Sequence, residues 1–236
     1  MRRLALWIVL LAPLAAAAQT YTYLDHALKG GAPPHTALLI APDVAVSEIS
    51  AGGVVEKIPE WSQRATHNVS NALRRVGMGP KLDFADPPAL SEQEQHTLDQ
   101  HVALFSVVAL QVHRNSLGGG ELWAKRLKSG LTDYTVGPGL AFLADKTGAD
   151  TALLVIGRDA ESSGGRKAAM VLGALFGVAM PAGSTFVVAG LIDLRSGRLL
   201  WQAYDVNIST DLREPDETNK LVEGLFKSYP AAAGTR

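Results

Sequence analysis

Six histidines offer imidazoles for metal ligation or proton transfer. His96 and His101 fall on one expected helix. Five residues of separation sets them about 140° apart around its axis, whereas a shared metal asks for the i,i+4 spacing of HExxH. His67 and His113 can approach only through tertiary packing, so solvated or hydrogen-bonded histidine is the expectation. No G-x-S-x-G elbow and no S-x-x-K with its partner motifs supplies an activated serine. Asp43, Asp83 and Asp86 lie near expected strand ends, where carboxylates can act but where Asp is also an ordinary turn residue. Cysteine is absent, which removes disulfides, thiolate metal sites, Fe–S clusters and thiol chemistry. These residues predict no catalytic set, no metal site and no cofactor.

One stretch suits ligand binding better. In Ser162-Ser163-Gly164-Gly165-Arg166-Lys167, glycines allow backbone N–H groups to converge, and two cations precede an expected helix. The run lacks the G-x-x-x-x-G-K-[ST] spacing of a P-loop, because one Gly-Gly pair precedes Lys167 and Ala168 follows. A solvated turn is the first reading, and an anion or lipid-headgroup loop is the alternative. From residue 168 to residue 192 the chain then carries no charge. Pro181-Ala182-Gly183-Ser184-Thr185 divides that segment, which predicts a buried helix over 168–180 and a buried strand after it. Were its apolar face exposed instead, Leu172, Leu175, Phe176 and Met180 would contact a partner or a membrane surface. A bilayer span is the third and least favoured reading.

The elements around these residues follow from periodicity. Thr36–Ala41 and Thr151–Gly157 read as buried strands, with Pro42 breaking the first. Val44, Val46 and Ile49 resume as a strand, and Ala51-Gly52-Gly53 turns it toward Val54-Val55-Glu56. From Pro59 to Val76 the apolar residues recur every three or four positions, a helix closed by Gly77. Leu82-Asp83-Phe84 is a short strand, and Ser91-x-x-Glu94 is a capping box opening a helix to about Arg114. Gly118-Gly119-Gly120 joins it to helices over about 121–134 and 139–147, with Gly148 as C-cap. Phe186–Leu194, the turn Arg195-Ser196-Gly197 and Arg198–Ile208 form a hairpin, and Asp216–Tyr229 a closing helix. The order predicts an α+β single domain over 36–229, a mixed β-sheet flanked by helices with a C-terminal β-hairpin and helix. Residues 19–35 are expected as a lead-in and 230–236 as a flexible tail.

Met1-Arg2-Arg3, the apolar run Leu4–Leu14 and Ala15-Ala16-Ala17-Ala18 have the layout of a secretory signal, 1–18, cleaved before Gln19. Of 22 basic residues, losing Arg2 and Arg3 leaves 20 against 23 acidic, a net charge of −3. That balance argues against nucleic-acid binding by bulk charge. The expected location is the bacterial periplasm, without lipidation, since no cysteine can accept a lipid.

Pro42-Asp43-Val44, Ala51-Gly52-Gly53-Val54-Val55-Glu56 and Pro59-Glu60-Trp61 resemble a family of uncharacterised bacterial envelope proteins, many of them lipoproteins. Gly148-Ala149-Asp150, Gly165-Arg166-Lys167-Ala168 and the hairpin Asp193-Leu194-Arg195-Ser196-Gly197-Arg198-Leu199-Leu200-Trp201 resemble the same group. The hairpin, with structural Asp193, Gly197 and Trp201, is also similar to CsgG-like and TolB N-terminal-like domains. That resemblance implies a CsgG/TolB-N-like α/β scaffold that assists envelope assembly or secretion through protein–protein contacts, without catalysis. The partners expected are envelope proteins, further copies of the chain or, peripherally, the membrane, with contacts over 166–183 and a strand edge around 199–208. The alternative is a periplasmic small-ligand or lipid-binding protein using 162–167 and the neighbouring apolar segment.

Overall fold

Strand Thr151–Ser162 organises the molecule, because Leu, Val and Ile fill both of its faces over 151–157. Alternate residues divide between two cores: Leu153 and Val155 face one, and Ala152, Leu154 and Ile156 the other. The computed structural model describes residues 19–25, 28, 33–77, 82–116, 134–175, 183–207 and 210–230. Its strands are β1 (Gln19–Leu24), β2 (Thr36–Leu39), β3 (Asp43–Ile49), β4 (Val55–Lys57), β5 (Asp83–Ala85), β6 (Thr151–Ser162), β7 (Ser184–Asp193) and β8 (Leu199–Asn207). Its helices are α1 (Pro59–Gly77), α2 (Glu92–Ser116), α3 (Ala141–Thr147), α4 (Gly164–Leu175) and α5 (Pro215–Phe226).

The eight strands form one open mixed sheet: six run in the order β1-β8-β7-β6-β2-β5, and β3, carrying β4, joins beside β6. Pro42 does break the first buried run, yet β2 and β3 both lie parallel to β6, the one along its first half and the other along its second. β4 folds back on β3 as the expected hairpin. β7 and β8 continue antiparallel. The protein is therefore a single α+β domain with an open eight-stranded sheet and five flanking helices among the described residues.

One sheet face is covered by α1 and α5 through Ala65, Val69, Leu73, Val222 and Phe226. The other is covered by α2, by α3 and by the 3-10 turn before it, through Phe105, Ala109, Val112, Leu140 and Leu143. The expected capping box is formed: Glu94 Oε2 accepts from the Ser91 N–H at 2.8 Å, and Ser91 Oγ from the Glu94 N–H at 3.3 Å. Gly148 closes α3 in the left-handed region, with φ 72°. Two expectations change. Residues 19–24, expected within a lead-in, form β1 and pair antiparallel with β8 from Gln19↔Val206 to Leu24↔Trp201. β6 runs five residues beyond Gly157, because β3 and β7 hold its outer half on both sides. The helix expected over about 121–134 and the tail 231–236 lie outside the described residues.

Candidate functional site

The Gly-rich run is the foot of α4, and the helix starts at Gly164, ahead of the expected 168. Ser163 Oγ accepts from the Arg166 N–H at 3.1 Å, and the Ser163 carbonyl from the Lys167 N–H at 2.9 Å. The Ser163 N–H in turn donates to the Ile49 carbonyl at the end of β3. Gly165 and Arg166 lie against Ala51 and Gly53 of the β3–β4 turn. Ser162 is buried at the end of β6, and Lys167 stands 3.9 Å from Glu161. The six residues thus moor α4 to the sheet. Beyond them Val171 is 66% exposed and Leu172 58%. The Leu175 side chain, Phe176 and Met180 lie outside the described residues. The charge-free segment therefore divides at its middle: α4 turns apolar residues outward, while β7 is buried. No helix among the described residues is long and apolar enough to cross a membrane.

The hairpin residues serve structure. Asp193 Oδ1 accepts from the Ser196 N–H at 2.7 Å and its hydroxyl at 2.6 Å. Gly197 has φ 69°, and a Cβ there would sit 1.8 Å from the Gly137 carbonyl oxygen, so only glycine fits. Trp201 is wholly buried against Phe226 and Tyr229. The expected contact edge at 199–208 is not an edge, because β1 covers the side of β8 that β7 leaves open.

The described histidines do not converge. His67 bonds Asn71, His96 bonds Gln100 and His101 bonds the Thr97 carbonyl, each within its own helix. His113 packs edge-on to Tyr204 at 4.4 Å, and burial lowers its pKa from the ordinary value. Asp43 pairs with Arg158 at 2.6 Å and Asp86 with Arg74 at 2.6 Å, while Asp83 is exposed on β5. Asp43 borders an open cleft of about 470 Å³ walled by Pro42, Pro87, Pro88, Leu98 and Val102, with Gln95 and Asp99 at its polar side.

A cluster of carboxylates forms instead where β6 meets the segment before α5. Asp159, 3% exposed, Glu161 and Asp211 bring oxygens within 4.8 Å of one another. Such a group could serve a hard cation, but the protein supplies the positive charge itself. Arg213 Nη2 bonds Asp211 at 2.5 Å and lies 3.7 Å from Glu161, and Lys167 stands on the far side. The Arg213 guanidinium also covers the Trp61 ring at 4.2 Å. Burial, then the carboxyl groups crowded beside it, pushes Glu161 up. Burial also acts upward on Asp211, but its bonds to Arg213 outweigh that and hold it below its ordinary value.

No family model matches the chain, and no curated protein does. Among solved structures it is similar to the PelC dodecamer from Paraburkholderia phytofirmans, 13% identical over 91% of this chain and 98% of that one, with a TM-score of 0.37. A variant PelC dodecamer from the same organism is 12% identical over 91% and 99%, also at 0.37.

The carboxylate cluster was reachable from the sequence only by extending β6. Once the strand runs past Gly157, a period of two puts Asp159 and Glu161 on the face that carries Leu153 and Val155. Asp211 and Arg213 carry no such signal, since a tertiary contact brings them in.

Proposed function

We propose that this protein is a non-enzymatic accessory or adaptor protein of the bacterial cell envelope. Residues 1–18 export it to the periplasm, and it acts by binding an envelope protein through α4. The observation that carries the reading is the outer side of α4. Val171 and Leu172 are exposed on a helix whose foot is fixed to β3 by Ser163, so the apolar residues are presented by a rigid mount. The resemblance of the 193–201 hairpin to CsgG-like and TolB N-terminal-like domains supports the same class of role.

A photo-crosslinking residue placed at Leu172 in the native host tests this directly. The expected result is an adduct with an envelope protein at Leu172 and none at Glu223, an exposed control on α5. Adding Val171→Ser should abolish that adduct without changing the melting temperature. An adduct that survives, or none at Leu172, removes the reading.

The second reading is a small-ligand or lipid binder, and the cleft beside Pro87 and Pro88 favours it. A mass retained on the protein purified from its host, and lost in Val102→Trp, would establish it.

A further inference from the structure

Thr185 presents one hydroxyl proton to two acceptors. Its Oγ1 lies 2.5 Å from the Thr210 carbonyl oxygen and 2.9 Å from Asp159 Oδ1. A carbonyl can only accept, so the shorter contact takes the hydroxyl's own proton. The longer contact is then a hydrogen bond only if the proton comes from Asp159. Its other oxygen, Oδ2, accepts from the Leu212 N–H at 3.0 Å, so a neutral carboxylic acid satisfies every contact.

We propose that Asp159 is carried as the neutral acid in the folded protein, and that its proton fastens the 210–214 segment to the sheet and makes that attachment pH-dependent. The segment is a junction. The Leu212 carbonyl accepts from Asn68 of α1 at 3.1 Å and from Thr218 of α5 at 3.0 Å, and Arg213 covers Trp61 of α1. Loosening it from Asp159 therefore loosens the contact among β6, α1 and α5.

The charges around Asp159 act in both directions, and its burial tips the balance toward the neutral form. Glu161 stands beside it on β6, and Asp211 and Arg213 face it from the segment. Lys167 reaches the cluster from α4, and Glu217 of α5 accepts from the Asp211 N–H. Asp205 of β8 lies on the same sheet face two strands away, β7 contributes Thr185, and α1 meets the segment through the uncharged Asn68 and Trp61. Burial pushes the Asp159 carboxyl up from its ordinary value, and Asp211 adds to that; the Leu212 N–H and Arg213 pull it back without cancelling it. A group held above its unfolded value contributes stability in acid. That contribution fades as pH rises from the ordinary aspartate range through the raised value.

The test is a carbon-13 titration of the Asp159 carboxyl in the intact protein, with Leu212 amide exchange followed over the same pH range. The expected carboxyl midpoint lies above the ordinary aspartate value of about 3.9. Leu212 exchange, corrected for base catalysis, should quicken through that midpoint. Asp159→Asn keeps both bonds, donating to Thr185 and accepting from Leu212, and should flatten the exchange profile. A midpoint at or below the ordinary value overturns the proposal, as does an Asp159→Asn profile that follows the wild type. The wild-type titration decides even if the variant fails to fold.

Discussion

The ring of Phe105 on α2 occupies the space that Gly190 leaves open on β7. A Cβ at Gly190 would lie 2.4 Å from Phe105 Cε2 and 2.5 Å from its Cζ. The helix can sit this close to the sheet because the strand has no side chain there. Gly190→Ala should destabilise the protein by about 1–3 kcal/mol through overpacking. Phe105→Ala should cost about 3–5 kcal/mol through the void it leaves. The double variant should cost less than their sum, since the void relieves the clash. Urea unfolding of the three variants measures this, and strict additivity would refute the contact.

Arg198 grips Asp25 with two bonds, Nη2 to Oδ1 and Nε to Oδ2, each at 3.1 Å. Asp25 is only 1% exposed and also accepts from the Tyr23 hydroxyl. Arg198→Met leaves a buried carboxylate without its guanidinium and should cost on the order of 3 kcal/mol in thermal unfolding. Arg198→Lys keeps the charge, loses the paired geometry and should fall between the two.

Glu94 links the start of α2 to α3. The Lys146 ammonium at 2.7 Å, then the Ser91 N–H and hydroxyl, hold its carboxyl down to about 2. A depressed folded value stabilises above the unfolded pKa of about 4.3 and is lost as pH falls through the folded one. The melting temperature should therefore fall between roughly pH 5 and pH 2. Lys146→Met should shrink that fall. An unchanged acid limb would show that the pair contributes nothing.

The framework of this fold was legible where one local rule decided. Pro59–Gly77 showed its helical period, Ser91 and Glu94 their cap, and Arg195-Ser196-Gly197 its turn. The misreadings arose where a partner far along the chain decided. Gln19–Leu24 alternates Thr and Tyr, residues enriched in strands, but it is the distant β8 lying beside it that makes it one. The Gly-rich run is helical because Ser163 caps it and Ile49 anchors it. Leu172 was legible as a contact residue only if its helix were exposed, which periodicity alone left open.

The first strand and the last are neighbours, and β2 and β3 lie against a strand that begins more than a hundred residues later. During synthesis β1, and the edges of β2 and β3 that face β6, must wait while the rest of the chain is made. Contacts of such sequence separation form slowly. The local meander β6-β7-β8 is the piece able to form first, and the early strands then close on it from both sides. The sheet is thus assembled from its end backwards, so a chain truncated before Leu199 would keep most of its residues and still lack the strand that receives its N-terminus.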